Sequence, residues 1–191
     1  MRDKSSEITP PLPAAIERVS ANLKWAGNIG FWVQLVLGVI SVVTVLFSAP
    51  SLINSETSAT QGVGFGIFSA ICGLIVLAVG IYFSFRYMDI ARRLQSSNPG
   101  DRPNKSDTLR VIRTGLMVNL LGLTLTIIGA EAIVGIVLLK SLARPQLALG
   151  SDPKEFVNSI DLLVIQANTN TIAAHFAGII ASLSLLNRIT K

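Results

Sequence analysis

Four residues of this chain have side chains suited to chemistry while lying in long apolar runs: Glu131, Asn168, Asn170 and His175. Burying an ionisable group in hydrocarbon is costly, so such residues mark ion pathways or proton relays by default. On that reading Glu131 and His175 form a relay, and the two asparagines are ligands for a proton or cation. A plainer reading stands beside it: Glu131 reaches interfacial water, and His175 donates one hydrogen bond between helices. Gln34 and Asn119 lie in two other apolar runs, each about 7 Å from the same end at the helical rise of 1.5 Å per residue. They are expected to hydrogen-bond across helices. Bonds of that kind stabilise a membrane bundle by about 0.6 kcal/mol, which is sufficient reason for both residues to be there.

Other chemistries lack their residues. The sequence holds no G-x-S-x-G, no H-E-x-x-H and no phosphate-binding G-x-x-x-x-G-K. One cysteine, Cys72, and one histidine make neither a disulfide nor a Cys/His zinc site. No cofactor and no enzymatic activity are therefore expected. The net charge of +5 does not imply nucleic acid, because the basic residues flank the apolar runs and face anionic lipid headgroups instead.

The elements that must position these residues follow from charge distribution. Only 14% of the 191 residues are charged, against about a quarter in a soluble domain, and the charges gather between the runs. The predicted fold is all-α: a polytopic membrane protein with four transmembrane helices in a bundle. Residues 1–12 read as a flexible tail. Residues 13–27 read as an amphipathic helix lying in the membrane surface, with Ile16, Val19, Leu23 and Ala26 as its apolar stripe. The spans are expected at about 29–48, 62–85, 114–139 and 162–186. The first begins too far in for a cleavable leader. The fourth contains the polar string "QANTNT" at 166–171, and Asp152, Pro153 and Glu155 upstream resemble a helix start.

Lysine and arginine set the orientation. With both termini inside, thirteen of the sixteen basic residues are inside and three, Lys140, Arg144 and Lys154, are outside. Trp25, Trp32, Tyr82 and Tyr87 all fall near the inner surface, as an aromatic belt does. Arg86, Arg92 and Arg93 beside the membrane set this topology, and contact with anionic lipid or a partner protein is the functional alternative.

Glycines supply the packing signal. Gly66, Gly73 and Gly80 recur every seven residues in the second span, and Gly115, Gly122 and Gly129 do so in the third. Seven residues return a helix to nearly the same face. Membrane helices gain by close contact rather than by hiding apolar surface from one another, and glycine permits that contact. The second and third spans are expected to pack along these strips, and Ala174, Gly178 and Ser182 to support a contact of the fourth. The string "GVGFG" at 62–66 looks like a potassium filter. A filter needs several subunits and a preceding pore helix, so the expectation is a glycine-rich helix start.

The stretch "GNIGFWVQLVLGVIS" at 27–41, after "IERVSANLKWA", resembles an uncharacterised membrane-protein family of cyanobacteria and plastids, a domain of unknown function. The resemblance implies a photosynthetic cell's plasma or thylakoid membrane or a plastid envelope, and supplies no activity. The leading expectation is a non-enzymatic structural or accessory component of a membrane complex, partnered by anionic lipids and by other subunits, with an oligomer open. The alternative is a small ion, proton or solute carrier built around Glu131 and His175.

Overall fold

The structure, a computed structural model, describes residues 13–48, 61–143 and 159–190. Expectations resting on 1–12, on the loop 49–60, on Arg144 and Lys154, on the side chain of Lys140, and on the helix start at Asp152–Glu155 lie outside the described residues. Among the described residues four α-helices carry the fold: α1 (Ala14–Ser48), α2 (Gln61–Leu94), α3 (Lys105–Ala143) and α4 (Ser159–Thr190). A single 3₁₀ turn, Pro99–Asp101, joins α2 to α3, with the Asn98 side chain accepting from the Gly100 amide. There is no strand among the described residues. Each helix is long and apolar enough to cross a membrane.

The helices form a ring in chain order. Each packs on its sequence neighbours, and α4 closes the ring against α1. The outward surface is apolar, with Trp32, Val36, Phe47, Phe68, Met117, Leu121, Phe176 and Ile180 all exposed. Serines, threonines, asparagines, Gln34 and His175 are buried instead. That polarity is reversed from a soluble bundle and suits a hydrocarbon surround, where lipid contacts are free to be apolar and polar groups find partners only inside.

All four helices are longer than the roughly 20 residues a bilayer requires. At one end, where α1 and α3 begin and α2 and α4 finish, they continue together past the apolar region. This end also holds Arg86, Arg92, Arg93, Arg102, Lys105, Arg110, Arg113 and Arg188, and is here termed the basic end.

Two expectations are corrected there. Residues 14–27 do not lie flat on a surface but are the first turns of α1, which runs unbroken from Ala14 to Ser48. Their stripe of Ile16, Val19, Leu23 and Ala26 packs against Tyr87, Ile90, Ala91, Leu94, Leu185 and Ile189. The amphipathic pattern was real, but protein rather than lipid covers its apolar face. Tyr87 likewise leaves the aromatic belt. It is 1% exposed, whereas Trp25, Trp32 and Tyr82 are more than half exposed.

Helix α4 passes through "QANTNT" without a break. Ala167, Asn168 and Thr171 face the interior, and Gln166 and Thr169 face outward with local partners. Residues 62–66 are helical within α2. A helical backbone keeps its carbonyls in its own i to i−4 bonds, so this segment presents no ring of carbonyls to an ion.

Candidate functional site

The helical spacing that builds the bundle also builds its polar centre. On α3, Gly115, Asn119, Gly122, Thr126 and Gly129 fall on one buried face. Across from them on α2, Gly66 meets the side chain of Ile133, Gly73 that of Thr126 and Gly80 that of Asn119. Seven residues forward on α2 answer seven back on α3, as an antiparallel heptad seam requires. The α3 glycines receive side chains too: Tyr87 and Phe83 at Gly115, His175 at Gly122, and Ser69 at Gly129. The strips are thus not smooth surfaces laid together. Each glycine is a socket holding a neighbour's side chain.

One cluster joins all four helices. Gln34 of α1 donates from Nε2 to Asn119 Oδ1 of α3 at 2.8 Å, the bond that their common depth suggests. Ser84 of α2 donates to Gln34 Oε1 at 2.8 Å. Asn119 Nδ2 donates to the Gly115 carbonyl at 2.9 Å, which fixes the amide so that Oδ1 faces the interior. His175 of α4 places Nδ1 at 3.2 Å from that same Oδ1 and Nε2 at 3.3 Å from the Gly73 carbonyl of α2. Gln34 and His175 are fully buried and Asn119 is 2% exposed.

The Gln34–Asn119 bond crosses the ring between helices that are not neighbours. It fits because glycines flank it on both sides. A Cβ on Gly80 would sit 2.8 Å from Asn119 Oδ1, and one on Gly178 would sit 2.5 Å from both Asn119 Oδ1 and Gln34 Nε2.

The histidine has an unusual electrical setting. Both ring nitrogens face acceptors, an amide oxygen and a backbone carbonyl. A neutral imidazole carries one N–H and satisfies one of the two; an imidazolium satisfies both.

Further polar contacts continue along the interior. Towards the basic end, Tyr87 OH lies 3.1 Å from Ser182 Oγ, and Ser20 Oγ donates to the Ala91 carbonyl at 2.8 Å. Towards the other end, Thr171 Oγ1 lies 3.1 Å from Ser41 Oγ, and Ser69 Oγ donates to the Leu125 carbonyl at 3.0 Å. Beyond them is Asn168, fully buried, whose Nδ2 donates to the Val164 carbonyl while Oδ1 has no hydrogen-bond partner.

The relay pair Glu131 and His175 and its two asparagine ligands are not assembled. His175 and Asn168 share the buried face of α4, seven residues apart. Asn170 is half-buried and accepts from Gln166 Nε2 at 3.0 Å. Glu131 is exposed on α3, two residues past the buried Gly129 and so on the opposite side of the helix. Glu131→Gln is accordingly expected to leave the detergent thermal midpoint within a degree or two of wild type. A large fall would mean that Glu131 contacts the interior.

Arg86, Arg92 and Arg93 all lie exposed at the basic end. Arg86 donates to Tyr82 OH at 3.3 Å, and Arg93 pairs with Asp89 at 3.0 Å.

Sequence reasoning missed Ser84, the Gly73 carbonyl, Tyr87 and Ser182 as members of the polar interior. Serines in apolar helices carry no signal until a partner's position is known. Tyr87 was assigned by depth alone, and depth does not say which way a side chain faces. Among the described residues no group of three His, Cys, Asp or Glu side chains could hold a metal ion.

Comparison with known proteins adds two findings. The family described as "Protein of unknown function (DUF3611)" matches residues 13–190. "Protein TIC 21, chloroplastic" of Arabidopsis thaliana is 32% identical over 180 residues, which cover 92% of this chain and 59% of that protein. The chain thus spans about three fifths of the relative's length. No solved structure matches it.

Proposed function

We propose that this chain, which belongs to the DUF3611 family, is a non-enzymatic structural or accessory subunit of a membrane complex. One observation carries the reading: the polar centre is filled. Its glycines are occupied by His175, Thr126, Asn119 and Tyr87, and its amides and imidazole are bonded to one another. A bundle locked in this way suits a scaffold, whose apolar outer faces are free for lipid and for other subunits. The name of the relative places that protein in the chloroplast. For this chain we take a photosynthetic membrane, thylakoid, plasma or plastid envelope, with both termini on the cytosolic or stromal side, next to anionic headgroups. Glycine-mediated packing is part of the same proposal, as is possible self-association; nucleic acid is not a partner.

A second reading, a small proton, cation or solute carrier, draws on the string of buried polar groups and on the two-acceptor setting of His175. Reconstitution in liposomes separates the readings. Proton and cation flux at the protein-free level, for wild type and for Glu131→Gln and His175→Gln alike, is the expected result. Flux above that level which His175→Gln abolishes would replace the scaffold with the carrier. Purification in mild detergent should retain stoichiometric partner subunits, and a chain that comes away alone would count against the scaffold. Cysteines placed at Ser55 and Ser97 should react from opposite sides of the membrane; labelling from one side would remove the four-span topology.

A further inference from the structure

At the basic end the four helices leave a cavity of about 860 Å³ open to solvent. That lies within the range of small-molecule sites, which run to about 1,000 Å³. Its floor is apolar, with Ile16 and Val19 of α1, Leu94 of α2 and Ile189 of α4. Four cations ring it: Arg18 of α1, Arg102 of the connecting turn, Lys105 at the first turn of α3, and Arg188 of α4. Among the described residues no carboxylate lines it.

Among the described residues these cations are gathered without being neutralised. Arg102 donates from Nε and Nη2 to the Ser96 carbonyl, at 3.1 and 2.9 Å, and Arg188 donates to Asn22 Oδ1 at 2.6 Å. Both acceptors are uncharged, so the two guanidiniums are held in place with their charge intact and with donors to spare. Arg18 and Lys105 make no ion pair among the described residues. Arg93 differs, since its charge is met by Asp89. Topology requires basic residues on one side of a membrane. It does not require four of them around one apolar hollow, where they repel one another until an anion arrives.

We propose that this cavity binds a phosphate ester that carries an apolar group, the phosphate on the ring of cations and the apolar part on the Ile–Leu floor. Arginine forks match phosphate oxygens with paired, charge-assisted bonds. The start of α3 at Lys105 adds the positive end of a long helix to the same edge. The phosphate has two sources. A bilayer lipid brings it from the membrane side, and a water-soluble ester from the other. Leu94 lies nine residues, about 13 Å, past Phe85, where the charge-free run of α2 ends at Arg86, and so beyond the layer of a few ångströms in which headgroups sit, which favours the soluble source. The site is independent of whether the bundle is a scaffold or a carrier.

The test titrates the full chain, in nanodiscs of phosphatidylcholine, with octyl phosphate by calorimetry. Saturable one-site binding is expected, weakened at least tenfold in the double variant Arg18→Gln, Lys105→Gln. Neither side chain has a hydrogen-bond partner among the described residues, so the variant should keep the wild-type thermal midpoint. Lys105→Arg on the Arg18→Gln background should recover part of the affinity. Octanol, which lacks the charge, and inorganic phosphate, which lacks the apolar arm, should each bind at least tenfold more weakly. Phosphatidylglycerol added to the nanodiscs identifies the source. Competition with octyl phosphate in wild type supports the site and assigns it to a lipid; unchanged affinity supports the site and assigns it to a soluble ester. Octyl phosphate uptake that does not saturate, or that is equal in wild type and the double variant, overturns the proposal.

Discussion

Gly122→Leu is expected to lower the thermal midpoint in detergent by on the order of 10 °C or to prevent the bundle from forming. A Cβ at this position would overlap the ring of His175, touching carbon and both nitrogens. The ring cannot swing aside cheaply, because Nδ1 faces Asn119 Oδ1 and Nε2 faces the Gly73 carbonyl, and it is fully buried. Overpacking a tight interior costs about 1–3 kcal/mol. Displacing the imidazole also leaves its N–H without an acceptor, at about 1–3 kcal/mol in a dry setting, although Asn119 Oδ1 keeps its bond from Gln34. For a chain of this size each kcal/mol moves the midpoint by roughly 2–4 °C. Gly135 supplies the control, since nothing lies within 4 Å of a Cβ placed there. Gly135→Ala should be neutral or slightly stabilising, because alanine favours a helix over glycine by about 1 kcal/mol. Equal midpoints for the Gly122 and Gly135 variants would show that the glycine sockets do not hold the bundle together.

Much of this fold was legible in the sequence, for a physical reason. Apolar runs long enough to span a bilayer, with charges confined between them, admit few arrangements, and the heptads of glycine on α2 and α3 point to the faces that meet. Facing within a helix is less legible. Glu131 and His175 lie in the same kind of apolar run, yet one is exposed and the other is fully buried. The glycine register contained that difference: Glu131 is two residues past Gly129 and so lies across the helix from the strip, whereas His175 is three residues before Gly178. What no pattern held was the identity of each partner. Gly122 receives a histidine from α4 and not a residue of α2, because the diagonal between α2 and α4 is short enough for His175 to reach both α3 and the α2 backbone. The stripe on residues 14–27 shows the same limit. Periodicity says that one face is to be covered, but not whether lipid or protein covers it.

Asn119→Leu tests whether the polar centre works as one unit, and should lower stability by about 2–4 kcal/mol. Leucine has the branching and the number of side-chain heavy atoms of asparagine, so loss of volume contributes little. The cost arises from what Asn119 Oδ1 was accepting. Gln34 Nε2 loses its acceptor, at about 1–3 kcal/mol for the orphaned donor, and His175 Nδ1 faces hydrocarbon, which adds a similar cost in the tautomer that carries its proton there. The membrane softens this figure, because a loosened helix finds other partners, and measured interhelical bonds average about 0.6 and reach about 1.7 kcal/mol. The double-mutant cycle with Gln34→Leu therefore decides more than either variant alone. Once Asn119 has gone, Gln34 has already lost its acceptor across the ring, so removing its amide should cost little more and Ser84 should be the only group newly affected. A coupling of about 0.6–1.7 kcal/mol is expected between the two positions. If the two substitutions instead add to within about 0.5 kcal/mol, they are independent. The bond across the ring would then be incidental, and the bundle would owe its stability to the glycine sockets alone.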